Sequence, residues 1–370
     1  MSPQTADTEP LPPRSVIGIL GSGQLGRMLV QAATRLGFRT SVYADDAGPA
    51  FDLAGTHAIG GYSNMPRLNE FARGVDVVTY EFENVPIDAA EHLTLRVPVR
   101  PGAMALRMAQ DRAVEKTFLQ DIGISVAPFV AIPAGASRDE AVNALDTWRC
   151  PAILKTARMG YDGKGQILVS GREELSGALD ALDHVSCVLE RRIAFAFEVS
   201  VLAVRDLRGR LAYYDVPRNE HASGILRRSV VPSGLPAAVE ARACAMAGRI
   251  AEALDYVGVL AVEMFYLGPD APEALLVNEI APRVHNSGHW TMDACASGQF
   301  ENHIRAVAGW PLADTRRHSD AEMTNLIGHD VDDWRGLAGR SDVCLHLYGK
   351  RDARPGRKMG HINQLLARST

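Results

Sequence analysis

The segment Asn278-Glu279-Ile280-Ala281-Pro282-Arg283-Val284-His285-Asn286-Ser287-Gly288-His289-Trp290 follows directly on the apolar run Leu275-Leu276-Val277. A carboxylate at the end of such a run can hold Mg²⁺, a hard cation that takes oxygen ligands and substrate phosphates. Beyond it, Arg283, His285, Asn286 and Ser287 offer positive charge and hydrogen bonds to a second anionic group. The order of these residues suits a metal-nucleotide on one side and a phosphorylated substrate on the other.

A second carboxylate stands upstream. Val259 to Tyr266 has the composition of a strand and contains Glu263, and Pro269-Asp270-Ala271-Pro272 reads as a turn back into Glu273 to Glu279. An antiparallel hairpin sets Glu263 beside Glu279 if the register brings both to one face. Two facing carboxylates repel unless a cation lies between them. Strand alternation sends Asn278 to the opposite face, or lets it join them if the strand ends there.

Lys155 lies in the short apolar run Ile153 to Thr156, and the run is followed by Gly160-Tyr161-Asp162-Gly163-Lys164-Gly165-Gln166 and a further strand, Ile167 to Val169. Glycines let backbone N–H groups come close to phosphate oxygens, and lysine adds charge for the same phosphates. No G-K-[ST] opening a helix is present, so this is a strand-loop-strand flap rather than a helix-capping phosphate loop.

A lysine strand, a glycine flap, an acidic strand pair and a terminal Asn-Glu together resemble the ATP-grasp superfamily. Gly160 to Gln166, Pro282 to Trp290 and Arg354-Pro355-Gly356-Arg357-Lys358-Met359-Gly360-His361 resemble, more narrowly, the N5-carboxyaminoimidazole ribonucleotide synthetase family. Gly21-Ser22-Gly23-Gln24-Leu25-Gly26-Arg27-Met28 and Tyr80-Glu81-Phe82-Glu83-Asn84 resemble it as well. The pieces run from about Val16 to His361 in the family's order, and the Arg-Val-His-Asn-Ser-Gly-His-Trp string is the most specific of them.

The resemblance implies an ATP- and bicarbonate-dependent ligase of purine biosynthesis that carboxylates 5-aminoimidazole ribonucleotide through carboxyphosphate, with Mg²⁺ and without biotin. It implies a cytoplasmic homodimer. Mg²⁺ falls to Glu263 and Glu279. ATP falls to Arg112, Lys155, the flap Gly160, Tyr161, Asp162, Gly163, Lys164, Gly165 and Gln166, the hinge Glu190-Arg191-Arg192-Ile193, and Glu198, His221, Asn278 and Glu279. The hinge would meet adenine, with Glu190 accepting through its carbonyl or its carboxylate, and Glu198 would take the ribose hydroxyls. The acceptor falls to Gly23, Gln24, Leu25, Glu81, Arg283, His285, Asn286 and Ser287, with Lys350 and Arg357 as a phosphate clamp. Tyr161, Asp162 and Lys164 would close over the intermediate, and Arg283 is the first choice to neutralise charge developing on it.

The elements that must position these groups read as α/β and α+β. Apolar runs at Ser15–Leu20, Phe38–Ala44 and Val75–Thr79, with a helix over Gln24–Leu36, predict a Rossmann-like unit across 15–102 after a disordered tail, 1–14. An ATP-grasp unit would span 103–312, opening with a helix over Ala103–Ile122 and carrying a small lid near 124–192 and a central part near 193–312. A small β unit, 313–370, is too short to fold alone and would pack back over the site.

Gly21-x-Gly23-x-x-Gly26 is also the dinucleotide fingerprint, with Asp45 about 20 residues on, so the first hundred residues alone would suit a nicotinamide-dependent dehydrogenase. The later acidic hairpin and flap make a second nucleotide site of different design. The resemblance instead turns the first loop toward the acceptor's phosphate, through helix N-terminal amides. A formate-using glycinamide ribonucleotide transformylase or a biotin carboxylase would share the ATP machinery, and a non-catalytic relative would have little reason to keep it.

Composition is that of a globular protein: 370 residues, 46% hydrophobic and 22% charged. A net charge of −5 argues against nucleic acid as the main partner. No run approaches a membrane span, and the acidic, proline-bearing start is unlike a secretion signal. The 5 cysteines form no C-x-x-C pair, and only Cys295, near the histidine loop, has a place for a nucleophile.

Overall fold

The computed structural model describes residues 9–149, 151–160 and 164–369. The N-terminal unit is a parallel sheet, β1 (Val16–Leu20), β2 (Arg39–Ala44), β3 (Thr56–Ile59) and β4 (Val77–Tyr80), in the order β3-β2-β1-β4. Helices α1 (Gln24–Arg35), α2 (Met65–Arg73) and α3 (Ile87–Thr94) cover it. β1 and β4 are apolar and buried almost throughout, as strands of a parallel sheet covered on both faces are, while the edge strand β3 is largely exposed. The chain ahead of β1 is not all tail: the Leu11 amide donates to the Ala308 carbonyl and Trp310 Nε1 to the Leu11 carbonyl, which pins 9–14. The rest of the expected tail, 1–8, lies outside the described residues.

One predicted helix is two. α4 (Ala103–Ala109) stops before Asp111, whose carboxylate accepts from the Ala113 and Val114 amides and so caps α5 (Arg112–Asp121). The break puts Arg112 in the first turn of a new helix aimed at the site. The lid follows: β5 (Phe129–Ile132), α6 (Asp139–Trp148), β6 (Ala152–Thr156), β7 (Gln166–Val169), α7 (Arg172–Ala181) and β8 (Cys187–Arg191), an antiparallel sheet of order β5-β8-β6-β7. Its own buried cluster, with Leu145, Leu154, Leu175 and Leu189, makes it a separate packing unit.

The remaining strands form one sheet. They are β9 (Phe197–Arg205), β10 (Leu211–Tyr213), β11 (Arg218–Ala222), β12 (Ile225–Val231), β13 (Gly258–Tyr266), β14 (Leu275–Ala281), β15 (Asp320–Ile327), β16 (Val343–Leu347) and β17 (Lys358–Leu366). The order is β14-β13-β9-β11-β12-β15-β17-β16, with β10 on β9. The expected C-terminal β unit therefore does not close on itself; β15 pairs with β12 and extends the sheet. α8 (Ala237–Ala253) packs on β9 and β13; α9 (Thr291–Ala294), α10 (Gln299–Val307) and α11 (Trp334–Ala338) complete the chain. α1 lies on α10, so Leu29 and Ile17 share one core with Trp290, Phe300 and Ile304, and the N-terminal sheet is fixed against the central one.

Candidate active site

β13 and β14 pair antiparallel, and the register sets Glu263 opposite Glu279. A bulge falls between Glu263 and Met264: Met264 pairs with Val277, which leaves Asn278 as the extra residue. A bulge breaks the period-two alternation. Asn278 therefore reaches the same cavity as Glu279, and its Oδ1 is buried with no partner among the described residues. Burial, then the charge of Glu279, pushes Glu263 up to about 7. Burial also raises Glu279, but the Arg112 guanidinium, 2.9 Å away, outweighs it and holds Glu279 low. Two carboxylates of unequal proton affinity and an orphaned amide oxygen fit a Mg²⁺ ion, which keeps water and phosphate for its other positions. Among the described residues no group of three or more His, Cys, Asp or Glu forms a complete protein cage.

The cavity over this pair has a volume of about 570 Å³. Toward the lid it is walled by Lys155, Gly160, Gln166, Glu198, His221 and Arg112. Lys155 faces Gln166 across the β6–β7 hairpin, and Gly165 at φ +69° shapes the return of the flap. Tyr161, Asp162 and Gly163 lie outside the described residues, while Lys164 lines an adjoining cavity of about 440 Å³. His221 sits on β11 just before the Ser223–Gly224 turn, not in a loop, and its Nδ1 is 2.6 Å from Glu198 Oε2. Burial lowers its pKa, but the Glu198 bond together with the charges of Glu263, Glu198 and Glu279 outweighs this and raises it.

The hinge differs from expectation. Glu190 Oε2 lies 2.9 Å from Lys155 Nζ and 3.2 Å from Lys116 Nζ, so this oxygen is a counter-charge for two buried lysines. The Arg191 and Arg192 amides donate to the Pro128 and Pro151 carbonyls, and neither these residues nor Ile193 line the cavity. The apolar surface of this part of the cavity comes from Phe195 and Phe265, stacked with centroids 4.7 Å apart, and Ile153. Sequence reading missed these three and Lys116, which also donates to the Asn278 carbonyl.

At the far end the fingerprint loop is already filled. Glu81 accepts from the Gly23 amide and, at 2.6 Å, from the Gly26 amide. A Cβ on Gly23 would stand 2.6 Å from Glu81 Oε1, so glycine is needed for this approach. A carboxylate on the helix N-terminus takes the place a dinucleotide pyrophosphate would occupy, which removes the dehydrogenase reading and the expectation that these two amides meet the acceptor's phosphate. Gly23, Gln24, Leu25 and Glu81 still wall the cavity.

Arg283 is ion-paired with Glu83, a residue sequence reading left unused, and the pair bridges the N-terminal and central sheets. Burial raises Glu83, but Arg283 outweighs it and holds it at about 2. Gln299 brackets His285, accepting from its amide and donating to its carbonyl. Asn286 forms a reciprocal amide pair with buried Asn325 of β15. Ser287 is fully buried behind His285, which corrects its expected place on the wall. Lys350 and Arg357 line the adjoining cavity with Lys358, which borders both spaces. Cys295 is buried and its thiol is pushed up to about 12, so it is no nucleophile.

Below the floor, Glu115 accepts from the Ile280 amide at 2.6 Å, and burial, with the charge of Glu279, pushes it up to about 8. A carboxyl raised in the fold binds protons that the unfolded chain releases. Stability tied to it is full below 4.5, falls as pH rises, and is gone above about 8. Glu115→Gln keeps the acceptor oxygen, so the variant should gain on the parent by about 1.4 kcal/mol per pH unit through that window. Urea unfolding across the range, without added metal, checks this; parallel curves would remove the raised carboxyl.

Residues 15–110 match the ribonucleotide synthetase preATP-grasp domain, 117–300 the ATP-grasp domain, and 321–369 the phosphoribosylaminoimidazole carboxylase C-terminal domain. The cavity thus belongs to an ATP-grasp enzyme. The N5-carboxyaminoimidazole ribonucleotide synthase of Brucella melitensis biotype 1 is 44% identical over 366 residues, 98% of this chain and 99% of that protein. The ADP complex of an N5-carboxyaminoimidazole ribonucleotide synthetase matches with a TM-score of 0.90 at 35% identity, covering 96% of this chain and 94% of that one. The Aspergillus clavatus synthase in complex with ADP and 5-aminoimidazole ribonucleotide matches with a TM-score of 0.88 at 29% identity, covering 95% and 93%. The chain belongs to the N5-carboxyaminoimidazole ribonucleotide synthase family. No helix of the described residues is long and apolar enough to cross a membrane.

Proposed function

We propose that this chain uses ATP and bicarbonate to carboxylate 5-aminoimidazole ribonucleotide on its exocyclic amine, releasing ADP and phosphate and supplying N5-carboxyaminoimidazole ribonucleotide to purine synthesis. One observation carries the reading: a single cavity joins the carboxylate pair and Lys155 at one end to Glu81, Arg283, His285 and Lys358 at the other. Two substrates bound there can exchange an intermediate without releasing it to water.

Lys155 and Arg112 hold the nucleotide phosphates, and Phe195 and Phe265 offer the base an apolar face. Mg²⁺ on Glu263 and Glu279, when bound, spreads the charge of the transferring phosphoryl group. Bicarbonate oxygen attacks the γ-phosphorus, and the bond to ADP breaks. The product, carboxyphosphate, gives its carboxyl carbon to the acceptor amine as phosphate leaves. Arg283, held in place by Glu83, faces the developing negative charge. Lys350, Arg357 and Lys358 draw the ribonucleotide phosphate into the adjoining cavity. Tyr161, Asp162 and Lys164 close the flap and exclude water. No biotin is needed. The homodimer and the cytoplasm rest on the resemblance alone, and sedimentation of the purified protein tests the first.

The test is ADP release with bicarbonate and each acceptor in turn. Stimulation by 5-aminoimidazole ribonucleotide, and by neither glycinamide ribonucleotide nor biotin, supports the proposal; stimulation by either of the others moves the chain to a different ATP-grasp reaction.

A further inference from the structure

Four side chains that no step above uses lie in one line of hydrogen bonds ending on His285. They are Ser229 on β12, Asn219 on β11, Ser200 on β9 and Ser287 in the turn after β14, and none is more than 4% exposed. Ser229 pairs with Asn219 across two strands, and Ser200 stands opposite Glu263 across two others. Ser229 Oγ donates to Asn219 Oδ1 at 2.7 Å, and Asn219 Nδ2 donates to Ser200 Oγ at 3.0 Å. Ser200 Oγ donates to Ser287 Oγ at 2.6 Å, and Ser287 Oγ lies 2.9 Å from His285 Nδ1.

Such a chain has a direction. An amide NH₂ only donates and an amide oxygen only accepts, so Asn219 sets the sense of the bonds on either side of it. Ser200 accepts from Asn219 and has one hydrogen left, which goes to Ser287. The Ser287 hydroxyl then has its own hydrogen for His285 Nδ1. The Ser287 backbone N–H, which can only donate, faces the same nitrogen at 3.4 Å. Nδ1 is therefore a lone pair at the end of both donors. A neutral imidazole then carries its proton on Nε2, and His285 Nε2 lies 3.2 Å from Glu263 Oε1.

We propose that the Ser229–Asn219–Ser200–Ser287 relay is a positioning device that locks His285 as an Nε2–H donor to Glu263. The donated bond anchors one carboxylate oxygen and turns the other toward the cavity. Residues behind a metal-binding carboxylate commonly set its orientation in this way. A purely structural reading would have these groups satisfy one another inside the sheet, with no consequence for the ring's proton. The two readings differ at one observable, the tautomer.

The experiment is a long-range ¹H–¹⁵N correlation spectrum of protein labelled at histidine nitrogen, which separates protonated from bare ring nitrogens. Unsubstituted protein should show His285 with bare Nδ1 and protonated Nε2. Asn219→Asp keeps the shape but presents only acceptors, so the Ser200 and Ser229 hydrogens turn inward to it. Ser287 then donates to Ser200, only the long 3.4 Å backbone contact is left to favour a bare Nδ1, and the His285 proton should shift toward Nδ1. With a bare nitrogen facing Glu263, the apparent affinity for Mg²⁺ in ATP turnover should fall roughly 10–100-fold while KM for the ribonucleotide holds. Only this last readout rests on the proposed function; the tautomer is measured without substrates or metal. A bare Nε2 in the unsubstituted protein, or an unmoved proton in Asn219→Asp, overturns the proposal. Should Asn219→Asp fail to fold, Ser200→Ala removes a single hydroxyl and should give a mixture of the two tautomers. A pure Nε2–H form in that variant overturns it equally.

Discussion

Glu279→Gln yields a folded protein whose ATP turnover falls roughly 10²–10³-fold, the range for removing one preorganised group from developing charge. Glu279 and Glu263 are not equivalent. Arg112 keeps Glu279 ionised throughout the neutral range, whereas Glu263 is pushed up to about 7. Glu279 is thus the permanent negative charge of the pair. The amide of glutamine still offers an oxygen to Arg112 Nη1, so the hydrogen bond that spans α5 and β14 survives. ADP release at saturating ATP and Mg²⁺, beside a thermal melt, measures both halves of this expectation. Near-normal turnover would take Glu279 out of the metal site.

Glu190→Gln strikes stability instead. Its carboxylate serves Lys155 and Lys116, and the Lys116 side chain is fully buried. Breaking a buried ion pair from one side costs about 3–5 kcal/mol, because a charge is left uncompensated. Here one substitution strips two lysines together. Nucleotide phosphates bring negative charge back to Lys155, so added ADP should restore more stability to the variant than to the parent. Urea unfolding with and without ADP makes the comparison. Equal stability in the absence of nucleotide would show that the lysines do not depend on Glu190.

Much of the site was legible in local pattern. The Glu263–Glu279 pairing followed from two strand-like runs and a proline turn, and the Lys155 flap from a short strand and its glycines. Asn278 was undecided because a bulge shifts alternation by one residue and leaves no mark on the hydrophobic pattern. The helix break at Asp111 had its signal, an N-capping aspartate, hidden in continuous helical periodicity over Ala103–Ile122. Strand β11, which carries His221, went unread because it is polar on both faces and is defined by its neighbours. Strand β3 and helices α2 and α3 went unread for a similar reason, having short or mostly exposed faces. Lys116, Glu83 and Phe195 carry no local signature; burial, pairing and stacking with residues far along the chain give them their places.

The continuity of the central sheet has a consequence for how this chain can be cut. β15 covers one side of β12, and β17 covers β15 in turn. A chain ended near 319 would not simply lose Lys350 and Arg357 from the adjoining cavity. It would bare the Arg228–Val231 edge of β12, an unpaired row of N–H and C=O groups in a sheet already formed, which is a template for another chain to add to. The C-terminal strands therefore act as a stopper on the enzyme's own self-association, and shortened forms should be found in aggregates rather than as weakened catalysts.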